Sequence, residues 1–496
     1  MLFNSYIFIF GFLPIVLAGF FAIGARGHHR VAIAWLVGAS LFFYGWWNPA
    51  YLGLILGSIL FNYAAGVALG GREQGLSRKW LLALGVAGNL GLLGYFKYAN
   101  FFVDNISLVT GADYHLGTIV LPLAISFFTF QQIAYLVDAY KGETREYNFL
   151  HYCLFVTFFP QLIAGPIVHH REMLPQFARD RIYRLNYGHL AIGISIFTLG
   201  LFKKVVLADG VAVYVAPVFD AAEAGIALNM YEAWQGAMAY TFQLYFDFSG
   251  YSDMAIGLGR MFGIKLPLNF NSPYKAGNII EFWRCWHMTL SRFLRDYLYI
   301  PLGGNRKGTT RRHVNLMITM ILGGLWHGAG WNFIIWGALH GFYLVVNHVW
   351  HGVLRAFNGA ARTSTFISRG MARLVTFAVV VVAWVFFRAE SLPGAMNLLS
   401  AMAGGNGLSL PESDLDGLKL LLLMLLLAWY APNTQQIMIR YRPAFEIYKG
   451  ELRAWKYSWL QWRPSLLYAM IAAVLFMVSL KIMVTIPESV FLYFNF

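Results

Sequence analysis

Long apolar segments recur along nearly the whole chain, and this repetition limits the possible folds more than any other feature. A helix needs about 20 apolar residues, at about 1.5 Å of rise each, to cross the hydrocarbon core of a bilayer. Candidate spans lie near residues 7–25, 31–47, 51–69, 80–95, 118–137, 190–207, 233–256, 314–326, 333–350, 374–387, 418–431 and 466–486. The pattern predicts an all-α polytopic membrane protein with about 11 or 12 crossings.

The composition excludes a soluble protein and argues against nucleic-acid binding. Of the 496 residues, 58% are hydrophobic and 12% are charged, whereas soluble domains carry roughly 25% charged residues. The net charge of +14 is spread over short clusters between apolar segments, which is typical of cytoplasmic loops facing anionic membrane lipids. Cys153 and Cys285 lack the CxxC spacing of a zinc site and form no disulfide framework, so no metal is predicted.

The basic clusters also predict the orientation in the membrane. The loops following several spans carry Arg26, Arg30, Arg72, Arg78, Lys79, Arg355, Arg362, Arg369, Arg373, Arg440, Arg442, Lys449, Arg453, Lys456 and Arg463, whereas segments 47–50 and 411–416 are neutral or acidic. Because basic loops remain in the cytoplasm, both termini are expected outside. No repeat or linker indicates a second domain, so residues 1–496 form one predicted domain with a short outer tail at 487–496.

Residues 279–300 are too charged to cross a bilayer and too apolar for water. On a helical template, Arg284, His287, Ser291 and Arg295 share one face. The other face is apolar and carries Ile279, Phe282, Trp283, Trp286, Leu290, Phe293 and Leu294. This pattern predicts an interfacial or re-entrant helix. The apolar segment 152–168 is broken by prolines and glycines, which is typical of a segment that enters the membrane and returns.

His327 is the strongest single candidate for chemistry. It lies among four glycines and two tryptophans at the end of an apolar segment, where an ionisable side chain is expensive and therefore suggests function. A neutral imidazole can take a proton from a hydroxyl group. A buried histidine bonded to a carbonyl fits equally well. His287 is a weaker candidate, and His340, His348 and His351 read as packing or interface residues.

Two carboxylates and one basic run leave alternatives open. Asp247 and Asp253 lie within an apolar segment; an ion pair between Asp253 and Arg260 is the favoured interpretation, and an ion pathway in a transporter or flippase is the alternative. The run 292–312 places Arg306, Lys307, Arg311 and Arg312 beside glycines. These four side chains fit either a phosphate-bearing donor molecule or an anchor to lipid headgroups.

Five motifs together resemble one family. They are FWRCWHMTLSRFLRDYLYIPLGG, GGLWHGAGWNFIIWGALHG, FPQLIAGPI, YFDFSGYSDMAIGLG and WVFFRAE. The chain is similar, over nearly its whole length, to the membrane-bound O-acyltransferase (MBOAT) family. The nearest resemblance is to its bacterial branch, which acts on alginate, cellulose, peptidoglycan or teichoic acid.

The resemblance implies a fold and an activity. The family's spans form a ring around re-entrant segments and a central tunnel that holds a catalytic histidine, which by motif is His327; the second motif histidine is His287. The tail FLYFNF resembles an aromatic C-terminal motif whose tyrosine is proposed to carry the acyl group, here Tyr493, although an aromatic belt explains the same residues.

The implied function is transfer of acetyl from a cytoplasmic thioester, acetyl-CoA, across the bacterial inner membrane to an exported polysaccharide, with alginate or cellulose favoured. Arg306, Lys307, Arg311 and Arg312 would meet the donor phosphates. The implied partners are a periplasmic SGNH-type acetyltransferase, the polysaccharide synthesis and export complex, and membrane lipids. Both termini would then be periplasmic.

Overall fold

The computed structural model describes residues 1–71, 76–143, 148–358, 366–409, 415–446, 458–485 and 489–495. Several residues used to predict the orientation lie outside these ranges, namely Arg72, Arg362, Lys449, Arg453, Lys456, residues 411–414 and Pro487. The orientation of the chain in the membrane therefore stays a prediction.

The all-α fold is confirmed. Within the described ranges, the regular structure is helical apart from one isolated β-bridge between Pro267 and Phe445. The helices are α1 (Leu13–Ala25), α2 (His29–Gly45), α3 (Tyr51–Gly71), α4 (Leu76–Leu93), α5 (Ala99–Thr110), α6 (Ile125–Tyr140), α7 (Phe149–Thr157), α8 (Phe159–Leu162), α9 (His170–Phe177), α10 (Tyr187–Phe202), α11 (Asp209–Ala212), α12 (Ala216–Glu223), α13 (Met230–Met261), α14 (Ile279–Cys285), α15 (Met288–Leu294), α16 (Gly308–His327), α17 (Trp331–Asn358), α18 (Phe366–Arg388), α19 (Leu392–Met402), α20 (Leu415–Tyr430), α21 (Thr434–Ile437) and α22 (Leu466–Thr485).

Seven helical segments in the described ranges are long and apolar enough to cross a membrane. They are Ile7–Ala25, Tyr51–Gly70, Ser77–Thr110, Tyr187–Ala212, Trp331–Leu354, Ser368–Arg388 and Leu466–Thr485. The other five candidate spans also fall on helices, α2, α6, α13, α16 and α20. These five are shorter or more polar than a span of about 20 apolar residues requires. The predicted count of about 11 or 12 crossings therefore stays a prediction.

The chain separates into two compact units of interleaved segments. The first unit contains Met1–Phe202, Tyr251–Leu268 and Thr434–Asn495, and the second contains Lys203–Gly250 and Asn269–Asn433. Helix α13 contributes its N-terminal part to the second unit and its C-terminal part to the first. The prediction of one domain over residues 1–496 stays a prediction.

The proline- and glycine-rich segment of the first unit is broken, as the sequence predicts. Helix α7 ends at Thr157, α8 begins at Phe159 with Pro160 in its first turn, and the chain continues without a helix until α9. Pro160 fits the first turn because an N–H there would have no helical partner anyway. The residues of this segment are buried, so protein surrounds the irregular backbone, as a membrane protein requires.

In the second unit, α16 and α17 form a helical hairpin in which two glycines allow the backbones to touch. A Cβ atom on Gly324 would lie 2.2 Å from the carbonyl oxygen of Phe333, and one on Gly337 would lie 2.3 Å from that of Met320. Real Cβ atoms do not approach that closely, so any side chain at either position would push the helices apart. The pair of glycines therefore fixes the spacing of the hairpin that ends at His327.

Candidate functional site

His327 is the last residue of α16 and lies at the inner end of the hairpin. Gly328 follows in an extended conformation and ends the helix. Asn332 holds the start of α17 by donating from Nδ2 to the carbonyl oxygen of Ala389, at 2.8 Å. The His327 side chain is buried, with 3% of its surface exposed. The start of α17 beside His327 is therefore held in place.

Aromatic rings surround the imidazole of His327. The ring centroids of Trp326, Trp336 and Phe387 lie 4.8, 5.1 and 5.1 Å from that of His327. Trp384 stacks on Trp336 with centroids 5.6 Å apart. We call these five residues the ring cluster. Its apolar faces exclude water from most of the imidazole, while the ring nitrogens keep their capacity to accept or donate a proton.

His287 lies beside His327 and breaks the helix predicted there. The backbone of His287 is left-handed, with φ +40°, a conformation that costs a residue with a Cβ about 1–3 kcal/mol. Asn269 stabilises the break, because its carbonyl accepts from the N–H of Met288 at 3.0 Å. The two imidazole centroids are 6.4 Å apart. The two motif histidines thus come together in the structure.

The hydrogen bonds of His287 indicate its protonation. Asn269 Oδ1 accepts from the Thr289 hydroxyl at 3.0 Å and lies 3.1 Å from Nδ1 of His287. An amide oxygen can only accept, so Nδ1 carries the proton and Nε2 keeps its lone pair. Burial lowers the pKa of His287 to about 3. A neutral Nδ1–H tautomer follows.

The prediction of one continuous helix over residues 279–300 was wrong. The segment consists of α14, a break at Trp286 and His287, α15, and a π-helical turn, Arg295–Tyr299. The predicted apolar face is largely buried, but His287 is fully buried as well. Arg284, by contrast, is exposed. Helical periodicity applies only to regular backbone. The left-handed backbone of His287 changes the direction in which the side chains after it point.

Sequence reasoning missed Trp336 and Trp384, two of the tryptophans that line the site. Trp336 and His340 are four residues apart and therefore share one face of α17, with ring centroids 4.9 Å apart. Trp283 Nε1 donates to His340 Nδ1 at 3.3 Å, and His340 is fully buried. The interpretation of His340 as a packing residue agrees with this environment. The spacing of Trp336 and His340 was the available signal.

The four basic candidates lie around the turn that precedes α16. Arg306, Lys307 and Arg311 are exposed, and Arg312 is half-buried with Nη2 3.3 Å from Nε2 of His313. The turn needs glycine, because Gly303, Gly304 and Gly308 all have positive φ. The arrangement places three exposed basic side chains at the N-terminus of a 20-residue helix, where the helix dipole also favours anions.

Tyr493, the tail residue, belongs to the first unit. It lies on a short 3₁₀ turn, Leu492–Asn495, and only 5% of its surface is exposed. Its neighbour Phe491 packs edge-on against Tyr251 at 4.2 Å between centroids, and Asn4 donates to the carbonyl of Ser489 at 3.3 Å. The described part of the tail is therefore held within the first unit.

The two carboxylates have structural partners. Asp247 forms a buried ion pair with Lys204 at 2.6 Å, and Asp209 contacts the same ammonium at 2.9 Å. Removing one member of a buried pair typically costs about 3–5 kcal/mol. Asp253 accepts from the Thr434 hydroxyl at 2.6 Å. The predicted ion pair between Asp253 and Arg260 was wrong, because the chain turns Asp253 toward Thr434 instead.

No group of three or more histidine, cysteine, aspartate or glutamate side chains within the described residues is arranged to hold a metal ion.

Comparison with known proteins agrees with the motifs. The family model described as the membrane-bound O-acyltransferase family matches residues 139–387. A "Peptidoglycan O-acetyltransferase" of Helicobacter pylori is 43% identical and covers 100% of this chain and 98% of its own length. A "Probable alginate O-acetylase AlgI" of Pseudomonas putida is 40% identical over 100% of both chains. A "Teichoic acid D-alanyltransferase" of Streptococcus thermophilus is 31% identical over 46% of this chain and 57% of its own. The chain therefore belongs to the membrane-bound O-acyltransferase family and is a multi-pass membrane acyltransferase.

Proposed function

We propose that the protein takes acetyl from a cytoplasmic thioester, acetyl-CoA, and passes it across the bacterial inner membrane for O-acetylation of an exported glycan. Alginate or cellulose is the acceptor that the motifs favour, and the full-length relative acting on peptidoglycan adds that glycan. One observation supports the proposal most: His327, buried in the ring cluster, has a second imidazole, that of His287, 6.4 Å away. Both lie in the motifs shared with the family.

The chemistry assigns a role to each histidine. His327 takes the proton of the attacking hydroxyl, whose oxygen then bonds to the thioester carbonyl carbon. The carbon–sulfur bond breaks, and the departing thiolate receives that proton from the imidazolium of His327. His287 positions the donor or acceptor through Nε2, because its Nδ1 is held by Asn269. Water exclusion by the ring cluster protects the thioester from hydrolysis.

In the first transfer a hydroxyl group accepts acetyl, and the acetyl group is then passed on toward the periplasm. Tyr493 is the residue proposed to carry acetyl, and a periplasmic SGNH-type acetyltransferase then modifies the polymer together with the synthesis and export complex. Both termini are placed in the periplasm in this scheme. Tyr493 is buried, whereas an aromatic belt requires rings exposed to the membrane interface.

The first test is acetyl transfer by the purified protein. Incubated with labelled acetyl-CoA and a soluble glycan or water, it is expected to release free thiol and to transfer or hydrolyse labelled acetyl. A transporter or flippase that uses Asp247 and Asp253 would leave the thioester intact. Thiol release measured against protein-free micelles distinguishes the two, and an intact thioester under conditions where the protein remains folded would refute the enzymatic proposal.

A second experiment tests the basic turn before α16. Arg306→Gln combined with Arg311→Gln is expected to raise KM for acetyl-CoA about tenfold with little change in kcat, because charge-assisted bonds to phosphate are lost. Acetyl-pantetheine, which lacks the nucleotide phosphates, should be used equally well by both proteins. Arg369→Gln, an exposed arginine on α18, is the control for charge alone. Equal KM changes for both donors would contradict phosphate binding here.

A further inference from the structure

The first unit contains a cavity whose wall is basic. It has a volume of about 400 Å³, within the range of small-ligand sites. Its charged lining comes from Arg179, Arg181, Arg260 and Lys265, with His189 beside them. No carboxylate lines it among the described residues. Asp180, between two of the arginines in sequence, turns to His29 at 3.4 Å.

Local structure explains why these side chains converge. Gln176 at the end of α9 joins the chain at Lys265 by two hydrogen bonds, Nε2 to the carbonyl at 3.0 Å and the Lys265 N–H to Oε1 at 2.9 Å. Gly263, with φ +78°, turns the chain after α13 so that Arg260 and Lys265 face one space. Asn186 caps α10 by accepting from the N–H of His189 at 2.9 Å. The wall is therefore built from fixed backbone on three sides.

Arg260 is the group that points to a ligand. It is 91% buried, since 9% of its surface is exposed, and its Nε is buried without a hydrogen-bond partner among the described residues. A buried guanidinium without a counter-charge is strongly unfavourable. Burial and then the positive charges of Arg260 and its neighbours also lower the pKa of Lys265. Both observations indicate that the cavity is suited to an anion.

We propose that this cavity binds a phosphate group, either from a lipid headgroup or from a soluble phosphate compound. The planar guanidinium forks of Arg260 and Arg181 suit paired contacts to phosphate oxygens. Lys265, which follows α13, supplies a compact charge. The site lies within the first unit, so its occupancy is separate from the histidine chemistry of the second unit and is tested without measuring acetyl transfer.

The experiment follows thermal unfolding of the purified protein in lipid-free neutral detergent by tryptophan fluorescence. One arm adds inorganic pyrophosphate, with sodium chloride at matched ionic strength as the blank. The other arm adds phosphatidylglycerol, with phosphatidylcholine as the blank. At least one anion is expected to raise Tm by about 2 °C or more, because ligands that bind only the folded state stabilise it. A shift with pyrophosphate identifies a soluble phosphate site, and a shift with phosphatidylglycerol identifies a lipid site.

Arg260→Gln separates binding from a structural role. Without added anion, the variant should be as stable as the native protein or more so, because an unpaired buried charge has been removed. Its apparent Kd for the active anion should be about tenfold weaker. Arg181→Gln, at an exposed residue, should also weaken anion binding. It tests the proposal if Arg260→Gln does not fold. Arg184→Gln, exposed but outside the cavity, should bind normally. No Tm shift with either anion, or equal shifts in all three variants, would overturn the proposal.

Discussion

Replacing His327 with alanine is expected to lower acetyl transfer by about 10²–10⁴-fold, which is the usual contribution of a general base. The imidazole is on the last residue of α16 with Trp336 and Phe387 against it, and alanine at this position supplies no group that can take a proton. The hairpin is held by Gly324, Gly337 and the bond from Asn332, none of which involves the imidazole. The fold and membrane insertion should therefore survive.

The measurement is thiol release from acetyl-CoA by purified protein, normalised to folded protein from thermal unfolding. His327→Gln, which fills more of the space but supplies no base at neutral pH, should be equally inactive. His151→Ala, the same change at a half-buried residue of α7, should retain activity. His287→Ala should be damaging but less cleanly catalytic, because the left-handed turn relaxes with it. Near-native transfer by His327→Ala would refute the assignment.

Replacing Tyr493 with phenylalanine is expected to stop acetylation of the polymer while donor binding and thiol release in the presence of water remain. The change removes one oxygen and keeps the buried ring, so packing around Tyr251 and Phe491 is preserved. An acyl carrier needs the hydroxyl oxygen, whereas an anchor needs only the ring. The expected loss is therefore nearly complete for the polymer and small for the donor.

The assay compares acetyl content of the exported polymer in cells with thiol release by the purified variant. Tyr468→Phe removes the same atom from a hydroxyl that only donates to the backbone of Trp459, so it controls for a general effect of losing a tyrosine oxygen. Equal unfolding temperatures exclude a folding defect. Normal polymer acetylation by Tyr493→Phe would leave the tail as an anchor or a docking surface for the partner.

The membrane class and most helices could be predicted from the sequence because they depend on apolar length, which is a local property. The break at His287 could not be predicted in this way. The residue adopts left-handed backbone only because Asn269, 18 residues earlier in the chain, bonds both its imidazole and the following N–H. The pattern of residues 279–300 fits a regular helix until that long-range contact is known.

The same limit applies to the candidate site. His327 was recognisable because a histidine among glycines and tryptophans is unusual in an apolar segment, and the structure places it beside His287. Trp384 and Phe387 lie on α18, nearly 60 residues further along, and only the packing of α17 against α18 brings them to His327. Likewise, Arg260 looked like a partner for Asp253 at helical spacing, but the side chain faces a cavity shared with the end of α9.

The two contact glycines of the hairpin have a consequence for how the proposed catalytic base, His327, is held. At these glycines the two helices meet backbone to backbone, because an added Cβ would lie only 2.2 or 2.3 Å from a carbonyl oxygen of the other helix. No flexible side chain lies between the backbones there to absorb a displacement. The backbone that carries the imidazole of His327 is consequently rigid, and in the proposed reaction the imidazole is already oriented before any substrate arrives. A methyl group added at Gly324 or Gly337 would act on the reaction from a distance, by tilting that backbone, without touching donor or acceptor. In the proposed reaction, the rate of acetyl transfer therefore depends on the helix spacing at Gly324 and Gly337, two residues that carry no reactive atom.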